Sequence, residues 1–137
     1  MIRKATAVWH GTLKEGKGTL STQSKTLENT PYNFKMRFED EKGTNPEELV
    51  GAAHAGCFTM QLSANLAKND FNPAELETES QITFENATVS KSHLILKAKV
   101  PGISQEKFDE LVKDAKENCP ISKLLKAEIT IETTLNG

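Results

Sequence analysis

Arginine is scarce in this chain, and so are cysteine and every aromatic residue except phenylalanine. The 137 residues hold two arginines, two cysteines, one tryptophan and one tyrosine. Two thiols in a chain this long cannot build the dense disulfide framework of a small secreted scaffold, so they are either buried bystanders or a deliberate pair. Charge of one sign is also missing: 17 Lys and Arg against 19 Asp and Glu give a net charge of −2, with both signs spread along the chain. No basic patch points to nucleic acid or to an anionic membrane as partner. Neither G-x-G-x-x-G nor G-x-x-x-x-G-K-[ST] occurs, which argues against a nucleotide enzyme, and no cofactor is expected. No G-x-S-x-G elbow marks a serine hydrolase. Hydrophobic residues make up 36%, a little under the usual ~45–50% even when glycine is counted. So thin a core leaves room for an oligomer.

Long apolar runs are few. Met1 to His10 lacks the continuous apolar stretch of a signal peptide and alternates like a strand, so a reducing cytoplasm is expected. Leu49 to Ala67 carries no Asp, Glu, Lys or Arg over nineteen residues, close to the ~20 that span a bilayer. It contains His54, Thr59, Gln61, Ser63 and Asn65, which fits a buried helix of a soluble protein better than a membrane span.

The pattern that is present predicts a single domain over residues 1–137. Three strands come first, with glycines at Gly16 and Gly18 for a hairpin, and a third run from Tyr32 to Phe38 that sets Arg37 opposite the aromatics. Asn45-Pro46-Glu47-Glu48 then reads as a helix start: Asn45 caps, Pro46 takes the first position, and Glu48 has capping-box spacing. This helix should run to about Lys68 and, being apolar nearly all round, lie in the middle of the fold with more than one side covered. Strands follow at Glu77 to Phe84 and Ser92 to Val100, the latter with Leu94, Leu96, Ala98 and Val100 on one face. Ser104 caps an amphipathic helix to about Asn118 with Phe108, Leu111, Val112 and Ala115 as its stripe; a short helical turn after Cys119-Pro120 leads to a last strand from Ala127 to Leu135. The order βββ-α-ββ-α-β is α+β.

Cys57 stands within the apolar helix, where a cysteine is most often a small hydrophobe and burial keeps the thiol inert. Reactivity would require a cation beside it. Arg37 is the candidate, because a guanidinium stays charged when partly buried and grips a carboxylate with two nitrogens; a solvated strand charge is the plainer reading. Cys119 flanks the start of a short helix, a position that suits a thiol taking part in exchange, and simple burial is again the alternative. His54 and Cys57 share a helix face at i, i+3, but no C-x-x-C pair accompanies them, and His10 or His93 would complete a zinc set only by coincidence of folding.

The run from Lys42 through Asn45-Pro46-Glu47-Glu48 to His54-Ala55-Gly56-Cys57-Phe58, joined to the distant Cys119-Pro120-Ile121-Ser122, closely resembles the OsmC family, in its OsmC branch. Trp9, the Gly16 to Thr19 turn, Tyr32 to Phe38 and the closing Leu125 to Thr130 carry the resemblance over essentially the whole chain. It implies the OsmC-like fold, an intertwined homodimer with sites at the interface, and a thiol peroxidase preferring organic hydroperoxides. By the same resemblance Cys57 is the peroxidatic cysteine, Cys119 the resolving one that closes a disulfide with it, and Arg37 and Glu47 the activating ion pair. A dithiol must then reopen that bond, and in the family a lipoylated protein or other thiols serve. Phe34, Met36, Phe38, Phe58 and Met60 are candidates to line an apolar approach, although most are expected to be core. Glu47 and Cys57 lie ten residues apart on one expected helix, about 15 Å along its axis, so a site containing both requires two chains. The alternative is a non-enzymatic dimeric stress or redox-sensing protein whose thiols only pack.

Overall fold

In the computed structural model, which describes all 137 residues, ten elements follow one another: β1 (Ala5–His10), β2 (Lys17–Thr22), β3 (Thr30–Tyr32), α1 (Phe34–Phe38), α2 (Pro46–Lys68), β4 (Glu75–Glu85), β5 (Thr88–Lys99), α3 (Gln105–Asn118), α4 (Pro120–Leu124) and β6 (Glu128–Leu135). They fall into two compact units, Met1–Leu49 and Val50–Gly137, and each has its own three-stranded sheet. The class is α+β, as expected. No helix is long and apolar enough to cross a membrane.

In the smaller unit β1, β2 and β3 form an antiparallel meander. Trp9 and Tyr32 both pair with Gly18 from opposite sides, and their rings meet at 5.4 Å with a 58° tilt. A Cβ on Gly18 would stand 2.5 Å from Trp9 Cε3 and 2.7 Å from Tyr32 Cε1, so the closure of the two rings depends on glycine. The expected strand from Tyr32 to Phe38 is corrected here. The strand ends at Tyr32 and the residues after it form α1. Asn33 decides the matter: extended at φ −155°, it accepts the Met36 N–H at 2.9 Å and caps a helix. Phe34 and Phe38 alternate like strand residues, but they are also i, i+4, and their rings pack at 4.8 Å. Arg37 is therefore on a helix beside Phe38, with its guanidinium 5.1 Å from that ring centre, instead of on a face opposite the aromatics.

Helix α2 begins as expected, with Asn45 Oδ1 accepting the Glu48 N–H at 2.8 Å. The Glu48 carboxylate takes the Thr44 hydroxyl at 2.8 Å, so it does not serve the box that its spacing suggested. The helix ends at Lys68, and its buried residues Gly51, His54, Phe58, Leu62, Asn65 and Leu66 form one stripe at helical spacing. The expectation that more than one side is covered does not hold for the chain by itself: Ala52, Ala53, Gly56, Met60, Ala64 and Ala67 on the other face are exposed, with Met60 at 76%.

The larger unit holds all the buried hydrophobic residues. Phe58, Leu62 and Leu66 of α2 join Leu94, Leu96 and Ala98 of β5 and Phe108, Leu111, Val112 and Ala115 of α3 in one cluster. The alternation that predicted β5 and the stripe that predicted α3 are both present. Strands β4 and β5 form a hairpin through Asn86 and Ala87, whose φ of 50° and 58° suit a two-residue turn matched to strand twist. Strand β6 returns parallel to β5. Asn65 ties the two long helices, its amide donating to the Leu111 carbonyl at 3.1 Å and to Asp114 Oδ2 at 2.8 Å.

Replacing Gly18 with alanine should cost about 1–3 kcal/mol, the usual range for overpacking, because the new methyl must part the Trp9 and Tyr32 rings. Chemical denaturation of Gly18→Ala beside wild type measures this, and an unchanged midpoint would show that the ring contact does not hold the small sheet.

Candidate active site

Each unit contributes one pair of the expected site residues. In the smaller unit Arg37 grips Glu47 with two nitrogens: Nε lies 3.1 and 3.2 Å from Oε1 and Oε2, and Nη2 lies 2.7 Å from Oε1. The side chains are 34% and 14% exposed, which places the pair between a solvated ion pair and a buried one. The cap on α1 aims Arg37, and the first turn of α2 supplies Glu47 near the positive end of the helix dipole. Such a guanidinium is held in place and stays charged although partly buried.

Beside Arg37 the rings of Trp9, Tyr32, Phe34 and Phe38 line a cavity of about 310 Å³. Phe34 and Phe38, named above as candidates for an apolar approach, line this cavity. Phe58 does not, being fully buried in the core of the larger unit, and Met36 packs with its sulfur against Gly43.

In the larger unit the structure brings Cys57 and Cys119 together as free thiols, one half-buried and one fully buried. Burial pushes the Cys57 thiol up, the Ile121 backbone N–H bonded to it pulls it down, and the neighbouring Cys119 thiol pushes it up again. Cys119 occupies a joint between helices. Its N–H closes α3 on the Ala115 carbonyl at 3.0 Å, and its sulfur accepts the Ser122 N–H at 3.4 Å as the cap of α4.

His54 is fully buried one helical turn before Cys57. Its Nδ1 lies 2.6 Å from Ser92 Oγ and its Nε2 lies 2.8 Å from Ser122 Oγ. Both nitrogens are thus engaged by serines, which leaves neither for the metal set that its i, i+3 spacing to Cys57 raised. Burial pushes its pKa down, so the ring is neutral at neutral pH. The sequence reading missed Ser92 and Ser122 as partners of this histidine. Ser122 carried a local signal, standing three residues after Cys119 at cap spacing; Ser92 lies 38 residues from His54 and carried none.

A model of the family described as OsmC-like protein matches residues 39–134. Among curated proteins, Peroxiredoxin OsmC of Escherichia coli (strain K12) is 45% identical over 139 residues, covering 98% of this chain and 97% of that protein. Organic hydroperoxide resistance protein-like 1 of Staphylococcus saprophyticus is 35% identical over 96 residues, covering 67% of this chain and 68% of its own length. Among solved structures, an OsmC-like protein from Mycoplasma pneumoniae superposes with a TM-score of 0.76 at 15% identity, over 98% of this chain and 97% of that one, a likeness of fold. Joined to a cysteine pair and an arginine–glutamate pair at the expected positions, these matches establish that the chain belongs to the family of OsmC-like proteins.

Proposed function

We propose that the chain is a thiol-dependent peroxidase that reduces organic hydroperoxides to alcohols. The observation that carries this reading is the meeting of Cys57 and Cys119 over the Ile121 N–H, in a chain 45% identical to a peroxiredoxin over 98% of its length. Cys57 is the more accessible of the two sulfurs and takes the peroxidatic role. Its thiolate attacks a peroxide oxygen, the O–O bond breaks, and alcohol leaves once the departing oxygen is protonated; Cys57 becomes a sulfenic acid. Cys119 attacks that sulfur, the S–S bond forms and water is lost. An external dithiol, of which a lipoyl group is one, reopens the bond by exchange and is itself oxidised to a disulfide. Such a cycle suits the reducing cytoplasm, where dithiols are supplied.

The first step needs a thiolate, yet burial and Cys119 both work against one, and only the Ile121 N–H opposes them. A cation must be added. In our reading it is Arg37, fixed by Glu47, from a second copy of the chain. Glu47 lies in the first turn of α2 and Cys57 ten residues further along, about 15 Å on a helix axis. Two copies of α2 packed antiparallel on their exposed small-residue faces would bring Glu47 of one toward Cys57 of the other. The absence of any buried hydrophobic residue in the smaller unit supports the same homodimer. We take the two units as parts of one OsmC-like domain, since the E. coli relative spans both at nearly equal length.

The aromatic cavity beside Arg37 supplies a preference for organic substrates. Burying an alkyl tail is worth ~0.8 kcal/mol per methylene, an advantage hydrogen peroxide lacks.

Peroxide consumption with excess dithiol, comparing cumene hydroperoxide with hydrogen peroxide, tests the reading. Cys57→Ser should abolish turnover, while Cys119→Ser should lower it and let Cys57 proceed to sulfinic acid, read by mass spectrometry. Stoichiometric oxidation of the wild type without turnover would make the protein a sensor instead.

The pH dependence follows from the direction of the Cys57 shift. A thiol held up is ionised only at alkaline pH, and a guanidinium lowers the pH at which the thiolate appears. Arg37→Met should therefore slow the reaction at pH 7 by about tenfold to a hundredfold, one to two pH units of lost ionisation, and recover as pH rises. An Arg37→Met profile that overlays the wild type would remove Arg37 from the site.

Met60→Glu places a charge on the exposed face of α2. Sedimentation should find this variant monomeric and peroxide assays should find it slow; a fully active monomer would show that the site does not need two chains.

A further inference from the structure

The mechanism above leaves one buried titratable group without a task. His54 sits at the centre of a hydrogen-bonded line that crosses four elements: Ser80 of β4 to Ser92 of β5 at 2.9 Å, Ser92 to His54 at 2.6 Å, His54 to Ser122 of α4 at 2.8 Å, and Ser122 to Cys119 at 3.1 Å. His54, Ser92, Ser122 and Cys119 are all buried. One direction of donation satisfies the line from end to end. The Cys119 thiol donates to Ser122 Oγ, the Ser122 hydroxyl donates to His54 Nε2, His54 Nδ1–H donates to Ser92 Oγ, and Ser92 donates to Ser80. That direction leaves the Nε2 lone pair as the nearest base to the Cys119 proton, one hydroxyl away.

Resting on the peroxidase reading, we propose that His54 is a positioning residue for the resolving step, acting through Ser122 to take the Cys119 proton as that sulfur attacks Cys57. In the forward step the Cys119 proton passes to Ser122 Oγ while the Ser122 proton passes to Nε2. The Cys119–Cys57 bond forms as the S–O bond of the sulfenic acid breaks, and hydroxide leaves. Burial disfavours the imidazolium, so it gives up its proton, and with the departing hydroxide the balance is one water. On reduction the exposures decide which sulfur is attacked. Cys57 is partly exposed and Cys119 has no exposure, so a dithiol reaches Cys57 and Cys119 departs as thiolate, which takes up the proton that the attacking dithiol gives up. Loss of a thiol is faster when its developing charge is stabilised.

No carboxylate or ammonium takes part. The hydrogen-bond partners of His54 are serines of β5 and α4, the titratable groups near it are the thiols of Cys57 and Cys119, and burial is the one influence on its ionisation. The ring is thus a neutral base at rest, as the step requires.

The test is a single turnover of reduced protein with one equivalent of cumene hydroperoxide, quenched at intervals. Dimedone trapping reads the sulfenic acid and mass spectrometry of alkylated protein reads the disulfide. His54→Gln retains hydrogen bonding but cannot take a proton; Ser122→Ala cuts the link and leaves the histidine; Ser122→Thr restores the hydroxyl. We expect sulfenic acid to form at the wild-type rate in all three. Disulfide formation should slow by about tenfold or more in His54→Gln and Ser122→Ala, within the range of lost general-base help, and return in Ser122→Thr. In His54→Gln its rate should climb with pH, because solvent hydroxide must then remove the proton. Disulfide formation at the wild-type rate in folded His54→Gln and Ser122→Ala would overturn the proposal. So would equal slowing of both steps, or failure of Ser122→Thr to restore the rate. Absence of sulfenic acid and disulfide in the wild type would instead overturn the peroxidase reading on which it rests.

Discussion

The larger unit depends on Cys119 capping two helices at once. Its N–H satisfies the Ala115 carbonyl at the end of α3 while its sulfur accepts the Ser122 N–H at the start of α4. A cap of this kind fixes the side chain as firmly as the backbone, because moving the sulfur would leave an orphan donor in a buried place. Pro120 continues the constraint by setting the first residue of α4. The turn that results presents the Ile121 N–H to Cys57. One short turn therefore places the second sulfur, points a donor at the first, and sets the Ser122 hydroxyl between Cys119 and His54.

The smaller unit obeys a different constraint. It buries no large hydrophobic residue, and what order it has comes from backbone pairing, the Trp9 and Tyr32 rings over Gly18, and the grip of Arg37 on Glu47. Burial of apolar surface is the main favourable contribution to folding. A small sheet with so little of it, together with a long helix that exposes a stripe of alanine, glycine and methionine, is the ground on which we propose a second copy of the chain. The 36% hydrophobic content read from the sequence is thus unevenly spread, with the core concentrated in residues 50–137.

Where one periodicity or cap dominates, the sequence was legible. Asn45 started α2 and Ser104 started α3, both in the expected places, and the face of Leu94, Leu96 and Ala98 was read correctly because each of these signals is local. Tyr32 to Phe38 misled for an equally local reason: 32, 34, 36 and 38 fit a strand while 34 and 38 also fit a helix, and a single Asn33 cap decided between them. The pairing of Arg37 with Glu47 and of Cys57 with Cys119 was legible only through family resemblance, since spacing alone left both thiols and the arginine with bland alternatives. The His54 line was not legible at all. Its contacts span 38 and 68 residues, and a serine on a strand gives no sign of which distant ring it will meet.

Two thiols held this close cannot both be ionised cheaply. Cys119 raises the Cys57 thiol by charge as well as by its hydrogen bond, so a second thiolate beside the first would undo the activation of either. The chemistry therefore requires that the two sulfurs lose their protons in turn. A permanent cation suits the first, which must be ready before peroxide arrives, and Arg37 bound to Glu47 is the group we propose for it. A neutral base suits the second, because it acts only once attack has begun and adds no charge to the resting site. Burial, which keeps His54 neutral, raises Cys57 as well, so the same burial that suits the second sulfur is what the first must overcome.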